Sequence, residues 1–362
     1  MRRLLVTALL LSLGCDGADD VPKAAPKTSA AQAQSEEAPK AGAPADAEPA
    51  AKPAEPAAAE KPAADAPTKA DAPAGGTNTK TVDIDPAAPP AVTLLSAGTD
   101  PKPLRLAPTA GSTERLSMTM ATTVKMKMGE AEAPAVEAPP VVAVIATTVD
   151  GVEGDLIDAT FAYESMSVDD SKGGNPMMVQ QMKTMLEGFE AFRGSLKLDN
   201  RGALKGGSVD VPQSLPAPMQ QMVNQLQQSV AQMQVPLPAD AVGVGGSWKA
   251  ETTLDQNGMK LKQFVTYAVL ERSGNTVKLS TKVEQELLDK SFTPPGMAGV
   301  TATIDNYRGG GEGTLTLDLG QVMPTASEMT VDVAMDMEIE MAGQKQSQSM
   351  EMKLAVTMAE VK

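Results

Sequence analysis

The sequence predicts a β-rich α+β fold, in which long antiparallel strands form curved sheets or half-barrels packed on one or two amphipathic helices. Apolar and polar residues alternate with period 2 from Leu116 to Met128 and again from Val331 to Met358, which is typical of strands that bury one face. The second of these segments is interrupted at Gly343 and predicts a long hairpin. Two other segments space their apolar residues three and four positions apart, as helices do.

The remaining elements follow from the same patterns and from turn residues. One helix is predicted from Pro176 to Phe189, and another over 216–235, where Pro236 ends it. Tight turns are predicted at Asp150-Gly151, Asn200-Arg201-Gly202, Asn257-Gly258 and Ser273-Gly274-Asn275. Further strands are predicted at 140–149, 153–168, 193–199, 203–210, 246–256, 259–271, 275–288, 299–306 and 310–319.

A short motif occurs twice in the strand-rich region. Gly194-Ser195-Leu196-Lys197-Leu198-Asp199 is similar to Gly313-Thr314-Leu315-Thr316-Leu317-Asp318, and a pair of strands joined by a tight turn precedes each copy. This order indicates two related β-meander units, at about 115–211 and 246–360, joined by the helix 216–235. Two generic strands that each follow a glycine turn would also explain the motif. Both Asp199 and Asp318 are expected to serve turns.

The N-terminal part of the chain has a different composition. Residues 16 to about 90 are mainly Ala, Pro, Lys and Glu, with almost no large apolar side chains. Such a segment cannot bury enough apolar surface to offset the entropy lost on folding, so it predicts a disordered tether. We expect residues 15–104 to form this tether and residues 105–362 to form the folded domain.

The single cysteine follows a short apolar segment at the N-terminus. Arg2 and Arg3 precede the mainly apolar stretch 4–13, which is too short to span a bilayer. The segment resembles the signal peptide of a bacterial lipoprotein, with Leu11-Ser12-Leu13-Gly14-Cys15 matching the lipobox. The resemblance implies that residues 1–14 are removed and that Cys15 is lipidated, which anchors the exported protein to a membrane surface. It leaves open which membrane holds the anchor and whether the domain faces the periplasm or the cell surface.

The composition excludes several classes of function. The 362 residues carry a net charge of −15 and no basic cluster, which disfavours binding to nucleic acid. The absence of histidine removes Ser-His and Cys-His catalysis and zinc sites built from His and Cys. We therefore expect a non-enzymatic protein without catalytic residues, cofactor or metal site. An acidic stripe on the last hairpin is expected only to solvate its exposed face; it consists of Asp332, Asp336, Glu338, Glu340 and Glu351.

Methionine is unusually frequent, with 23 residues against five phenylalanines, three tyrosines and one tryptophan. Most of these methionines take the inward positions of predicted strands and helices. Because methionine is flexible and polarisable, the pattern favours an adaptable interior that binds a lipid or another hydrophobic molecule. A core that is merely filled with methionine would show the same pattern. The expected ligand-lining residues are Met118, Met120, Met126, Met222, Leu226, Met335, Met337 and Met352.

The only tryptophan, Trp248, follows a proline-containing link, Val235-Pro236-Leu237-Pro238, and the segment Val242-Gly243-Val244-Gly245-Gly246-Ser247. This passage resembles one in a family of uncharacterised bacterial lipoproteins, and the resemblance implies no activity. We expect Trp248 to plug one end of the core rather than to stack on a ligand.

Two functions remain after these exclusions. The first is a lipid-anchored envelope protein that binds a hydrophobic ligand in its methionine-lined interior. The alternative is a structural or protein-interaction lipoprotein of the envelope, with a solid core and no small-molecule ligand. The expected partners are the membrane, through lipidated Cys15, together with a hydrophobic ligand or an envelope protein.

Overall fold

The computed structural model describes residues 79–84, 89–172, 175–186, 192–212, 235–256, 258–293, 300–341 and 344–361. The predicted signal peptide, Cys15 and most of the predicted tether lie outside the described residues. So does the predicted helix 216–235, apart from Val235. The described part consists mainly of strands, which confirms the predicted β-rich class.

One α-helix, one short 3-10 helix (Asp170–Lys172) and seventeen strands make up the regular structure of the described residues. The strands are β1 (Thr79–Ile84), β2 (Ala91–Ser96), β3 (Thr99–Lys102), β4 (Thr113–Met128), β5 (Ala131–Glu132), β6 (Val136–Glu153), β7 (Leu156–Val168), β8 (Arg193–Asp199), β9 (Leu204–Pro212), β10 (Val242–Val244), β11 (Ser247–Gln256), β12 (Met259–Ser273), β13 (Thr276–Leu287), β14 (Ser291–Phe292), β15 (Val300–Asp318), β16 (Ala326–Met341) and β17 (Gln344–Glu360). The helix α1 (Pro176–Leu186) lies between β7 and β8 and falls within the predicted helix 176–189.

A single large antiparallel sheet contains all of the strands except β3 and β10, which pair with each other. Its order is β1-β9-β8-β7-β6-β4-β17-β16-β15-β13-β12-β11-β2, with β5 beside β4 and β14 beside β15. The last strand in the chain, β17, therefore lies at the centre, between β16 and β4. Within the described residues β1 and β2 are the two edges and do not pair with each other, so the sheet is open.

The sheet must curve strongly, because its two edges are close in the chain. Its path has thirteen strands and hence twelve spacings, which would separate the edges by about 58 Å in a flat sheet. Ile84 ends one edge strand and Ala91 begins the other, and seven residue steps span at most about 25 Å. Only a curved sheet brings β1 and β2 within that distance.

The inward face of the curved sheet holds the core. One apolar cluster includes residues from both sheet edges, such as Ile84 of β1 and Leu94 of β2, together with Leu104 and Trp248. A smaller cluster lies towards the other end of the strands, around Leu261, Ile304 and Met335. Burial alternates along most strands as the period-2 pattern predicts; on β4, for example, it follows Leu116, Met118 and Met120.

The folded domain begins earlier than the predicted boundary at residue 105. Strands β1, β2 and β3 lie within the segment predicted as tether, and Leu104 is completely buried. Two arginines fasten this segment to the rest of the domain. The Arg105 guanidinium donates to the carbonyl oxygens of Pro238 and Ala239, at 2.9 and 2.6 Å, and Arg272 donates to those of Lys102 and Pro103. These contacts give order to a segment whose own composition is typical of a linker.

One predicted turn is wrong. Asp150-Gly151 lies inside β6, where the pairing with β7 shifts register. The chain instead reverses after Glu153, at Gly154, whose φ of +60° is a left-handed conformation that suits glycine. The predicted turns at Gly202, Gly258 and Gly274 all contain a glycine with positive φ.

Two five-stranded meanders have the same order in the sheet, one from β4 to β9 and one from β11 to β16. Corresponding turns of the two meanders are also closed by similar backbone hydrogen bonds. The Asn200 N–H donates to the Asp155 carbonyl at 2.8 Å, and the Leu319 N–H donates to the Asn275 carbonyl at 3.0 Å. Carboxylates cap both turns as expected, since Asp199 accepts backbone N–H groups at 201 and 203 and Asp318 accepts one at 320. That one unit was duplicated stays a prediction.

Candidate functional site

The structure places three of the predicted lining residues deep in the main core. Met118, Met120 and Met352 are 2%, 6% and 3% exposed and belong to the large apolar cluster. A void of about 20 Å³ borders Met120, and Met182 of α1 also lines it. That volume suits a single water molecule and is far too small for an acyl chain. These three methionines therefore fill the core in the described part of the chain, and Met222 and Leu226 lie outside that part.

The other predicted lining residues meet at the far end of the long strands. Met335 of β16 lies directly opposite Met350 of β17, and Met350 lies directly opposite Met126 of β4. We call Met335, Met350 and Met126 the methionine row. Met337 lies two residues beyond Met335 on the same strand and is also half-buried. Thus the structure brings Met126, Met335 and Met337 together, and adds Met350, which the sequence analysis did not single out.

The methionine row is less buried than the core methionines. Met335 is 7% exposed, whereas Met126 and Met350 are half-buried. Met128, two residues beyond Met126, is 51% exposed. Because side chains two residues apart on a strand share a face, the row lies at the border between the packed core and solvent.

A second feature lies on the opposite face of the same strands. A depression of about 910 Å³ crosses β12, β13, β15, β16, β17 and β4. Its floor is made by small residues, Gly310 and Ala334, which face away from the core. We call it the outer groove, and the outward side chains along it are Thr123, Lys125, Phe264, Glu284, Glu286, Arg308, Asp332, Glu351 and Lys353.

Charges of both signs line the outer groove in cross-strand pairs. Asp332 lies directly opposite Lys353, and Lys125 lies opposite Glu351 with 3.7 Å between Nζ and Oε2. These side chains are exposed, so each pair contributes at most about 1 kcal/mol to stability. At the end formed by β12, the Nζ atoms of Lys249 and Lys262 lie 4.9 and 5.3 Å from the centre of the Phe264 ring. The groove thus presents an aromatic ring and alternating charges rather than one strong field.

A partly buried polar network lies on the opposite face of the sheet, beneath the groove. The Tyr307 hydroxyl donates to Oε1 of Gln285 at 2.7 Å, and Nε2 of Gln285 donates to Oε1 of Gln263 at 3.0 Å. A Cβ at Gly309 would lie 2.3 Å from Oε1 of Gln285 and 2.6 Å from the Tyr307 oxygen, so only glycine leaves room for this bond. Burial raises the pKa of Tyr307 to about 12, which keeps its proton available for donation.

The acidic stripe is arranged for solvation and hydrogen bonding. A smaller depression of about 400 Å³ continues the outer groove past Asp336. Hydrogen bonds from Ser349 and from Asn306, the latter at 3.0 Å, hold the pKa of Asp336 below its usual value. Among the described residues, His, Cys, Asp and Glu form no group of three or more that could hold a metal ion.

Sequence reasoning missed one buried carboxylate. Glu114 of β4 is 6% exposed, and its oxygens accept the backbone N–H groups of Val322 at 2.8 Å and Met323 at 3.0 Å. Burial raises the pKa of Glu114, and the two backbone hydrogen bonds oppose that shift. Glu114 lies two residues before the inward Leu116, so the period-2 alternation of β4 places it on the buried face. This alternation could have identified its burial from the sequence.

Trp248 takes the structural position expected of it. Its side chain is fully buried, its ring stacks on Tyr267 with centroids 5.2 Å apart, and its Nε1–H donates to the Pro236 carbonyl at 2.8 Å. The partners of the indole are thus groups of the protein, the Tyr267 ring and the Pro236 carbonyl. Trp248 is therefore a core residue that fixes the proline-containing link to β11.

The comparisons with known proteins assign no family. No family model matches the chain. No curated protein matches it either. A crystal structure of Pseudomonas aeruginosa OpdQ can be superposed on 69% of this chain and 97% of its own, with 8% identity and a TM-score of 0.20. At that TM-score the similarity supports no conclusion about fold or function. Within the described residues, no helix combines the length and apolar character needed to cross a bilayer.

Proposed function

We propose that this protein is an exported, lipid-anchored and non-enzymatic interaction protein that binds an envelope protein through its outer groove. The observation that carries the proposal is the contrast between the two faces of the sheet. Met118, Met120 and Met352 pack into the core, whereas the outer groove is an open depression of about 910 Å³. A depression with a small-residue floor, an aromatic ring and paired charges suits a protein surface better than an apolar small molecule.

The described residues of the groove do not form a catalytic arrangement. The chain has no histidine, and the groove carboxylates Glu284, Asp332 and Glu351 are exposed and lie beside lysines. General acid–base catalysis needs a group positioned against a substrate and tuned by its surroundings. Exposed, paired carboxylates supply charge complementarity instead, which favours specific association over chemistry.

The proposed anchor gives a direct prediction. Cys15→Ser is expected to move the full-length protein from the membrane fraction to the soluble fraction, because the substitution removes the thiol that lipidation requires. Fractionation with immunoblotting measures the shift, and Ser12→Ala serves as a control that retains the cysteine. If the Cys15→Ser protein stays with the membrane at the level of the unsubstituted protein, the lipid anchor is wrong.

The groove proposal is tested by site-specific photo-crosslinking in cells. A benzoylphenylalanine residue at Phe264 keeps an aromatic ring at the groove and is expected to capture a discrete protein partner. The matched control is the same residue at Thr160, which is exposed on β7, seven places from β12 in the sheet. Equal products at both positions, or none at Phe264, would refute partner binding at the groove.

A further inference from the structure

Three thioether side chains lie side by side on one face of the sheet. Met335, Met350 and Met126 occupy directly opposed positions on three adjacent strands. Directly opposed residues have Cβ atoms about 4.5–5.5 Å apart and side chains on the same face. A methionine side chain is long and flexible enough for three neighbouring sulfur atoms to approach one point.

The row is accessible, which distinguishes it from the other methionines of the core. Met350 and Met126 are half-buried, whereas Met118 and Met352 are at most 3% exposed. Exposure lets an ion reach the sulfur atoms, and the partly buried setting shields the bound ion from water. Beyond the row, the same face carries half-buried Met337 and exposed Met128. Two further thioethers therefore lie between the row and solvent.

We infer that the methionine row is a binding site for a soft monovalent cation of the Cu(I) type. Thioethers are soft ligands that select Cu(I) and bind hard cations such as Mg²⁺ or Ca²⁺ poorly. The chain has no histidine, and its one cysteine is the proposed lipidation site, so methionine is the principal soft side chain available. This departs from the sequence-based expectation of no metal site, which considered only His, Cys and carboxylate ligands.

The carboxylates beside the row do not create a field for a cation. Asp336, Glu338 and Glu351 lie on the outward face of these strands, and Lys345 and Lys125 pair with Glu338 and Glu351. Selectivity therefore rests on the thioether ligands themselves. The site lies on the face opposite the outer groove, and the inference is independent of partner binding.

Metal binding is tested with the full chain carrying Cys15→Ser, so that no thiol contributes. Ag(I), a redox-inert analogue, is titrated and followed by native mass spectrometry and by the ¹H and ¹³C shifts of the methionine methyl groups. Cu(I) affinity is measured under ascorbate in competition with bathocuproine disulfonate. We expect one ion per chain and shifts confined to methionines in and beside the row.

Met350→Leu keeps an apolar side chain of similar volume but removes the central sulfur. It is expected to weaken Cu(I) binding at least about tenfold. Met118→Leu, a fully buried control of the same chemistry, is expected to leave the affinity unchanged, and thermal melts of both variants show that they fold. Absence of binding, an equal loss in both variants, or an unaltered affinity of Met350→Leu would overturn the inference. Binding of a fatty-acyl probe without binding of Ag(I) would assign the row to an apolar ligand instead.

Discussion

Trp248→Ala is expected to lower the free energy of unfolding by about 3–5 kcal/mol and the melting temperature by roughly 10 °C. The substitution leaves a cavity where the largest fully buried side chain packs against Tyr267. It also removes the donor to the Pro236 carbonyl, which is buried with the link that the indole fixes. Urea unfolding followed by far-ultraviolet circular dichroism measures the change, since the variant lacks the only tryptophan.

A second variant separates the contribution of aromatic packing from that of the hydrogen bond to Pro236. Trp248→Phe keeps an aromatic ring against Tyr267 but has no N–H for Pro236, so we expect a loss of about 1–2 kcal/mol. If Trp248→Ala costs less than 1 kcal/mol, the indole does not hold that end of the core. A loss in Trp248→Phe as large as that in Trp248→Ala would place most of the effect in the hydrogen bond.

Glu114→Ala is expected to cost about 2–3 kcal/mol at pH 7. The alanine leaves the buried N–H groups of Val322 and Met323 without their acceptor. Part of that loss is offset, because the variant no longer buries a carboxyl group. Hydrogen exchange should show the same change locally, as faster exchange of these two amides.

The loss in Glu114→Ala should grow as the pH falls from 7 towards 4.5. Because the folded-state pKa of Glu114 is raised, the folded protein binds more protons than the unfolded chain between the ordinary carboxyl value and the raised one. The pH-dependent part of this group's contribution to stability is therefore largest at low pH and is lost as the pH rises through the folded-state pKa. Glu114→Gln is the control, since it keeps a carbonyl acceptor and does not titrate. A difference between wild type and Glu114→Ala that shrinks on acidification would contradict this sign.

The strands were predictable wherever inward and outward positions alternate without interruption. On β4 and β16 every second residue is apolar over most of the strand, so the burial of Met118 or Val331 follows from parity alone. Strands β1 to β3 were not predictable, because they are short and lie in a Pro- and Ala-rich composition. Long-range contacts hold these strands in an ordered conformation; an example is the pair of hydrogen bonds from Arg272 to the carbonyls of Lys102 and Pro103.

The candidate sites depend on register between distant strands, which local sequence does not contain. The period-2 alternation places Met126 and Met352 on the same face of the sheet. It does not show that Met126 lies near solvent whereas Met352 lies in the core. Pairing between β17 and β4, read from the structure, makes that distinction. The outer groove is built from six strands, and its depth comes from Gly310 and Ala334, whose small size is informative only when their neighbours are known.

The central position of β17 has a consequence for how the protein reaches its final form. Met128 pairs with Gln348, 220 residues later in the chain, so within the described sheet the two meanders are linked by strand pairing only through β17. Strand β17 is also the last of the described strands to be synthesised. Until then β16 and β4 present unpaired edges, which are prone to associate with other chains. The availability of β17, rather than synthesis of the first meander, therefore sets the time at which the sheet can assemble, and this late pairing of distant segments is a slow folding step.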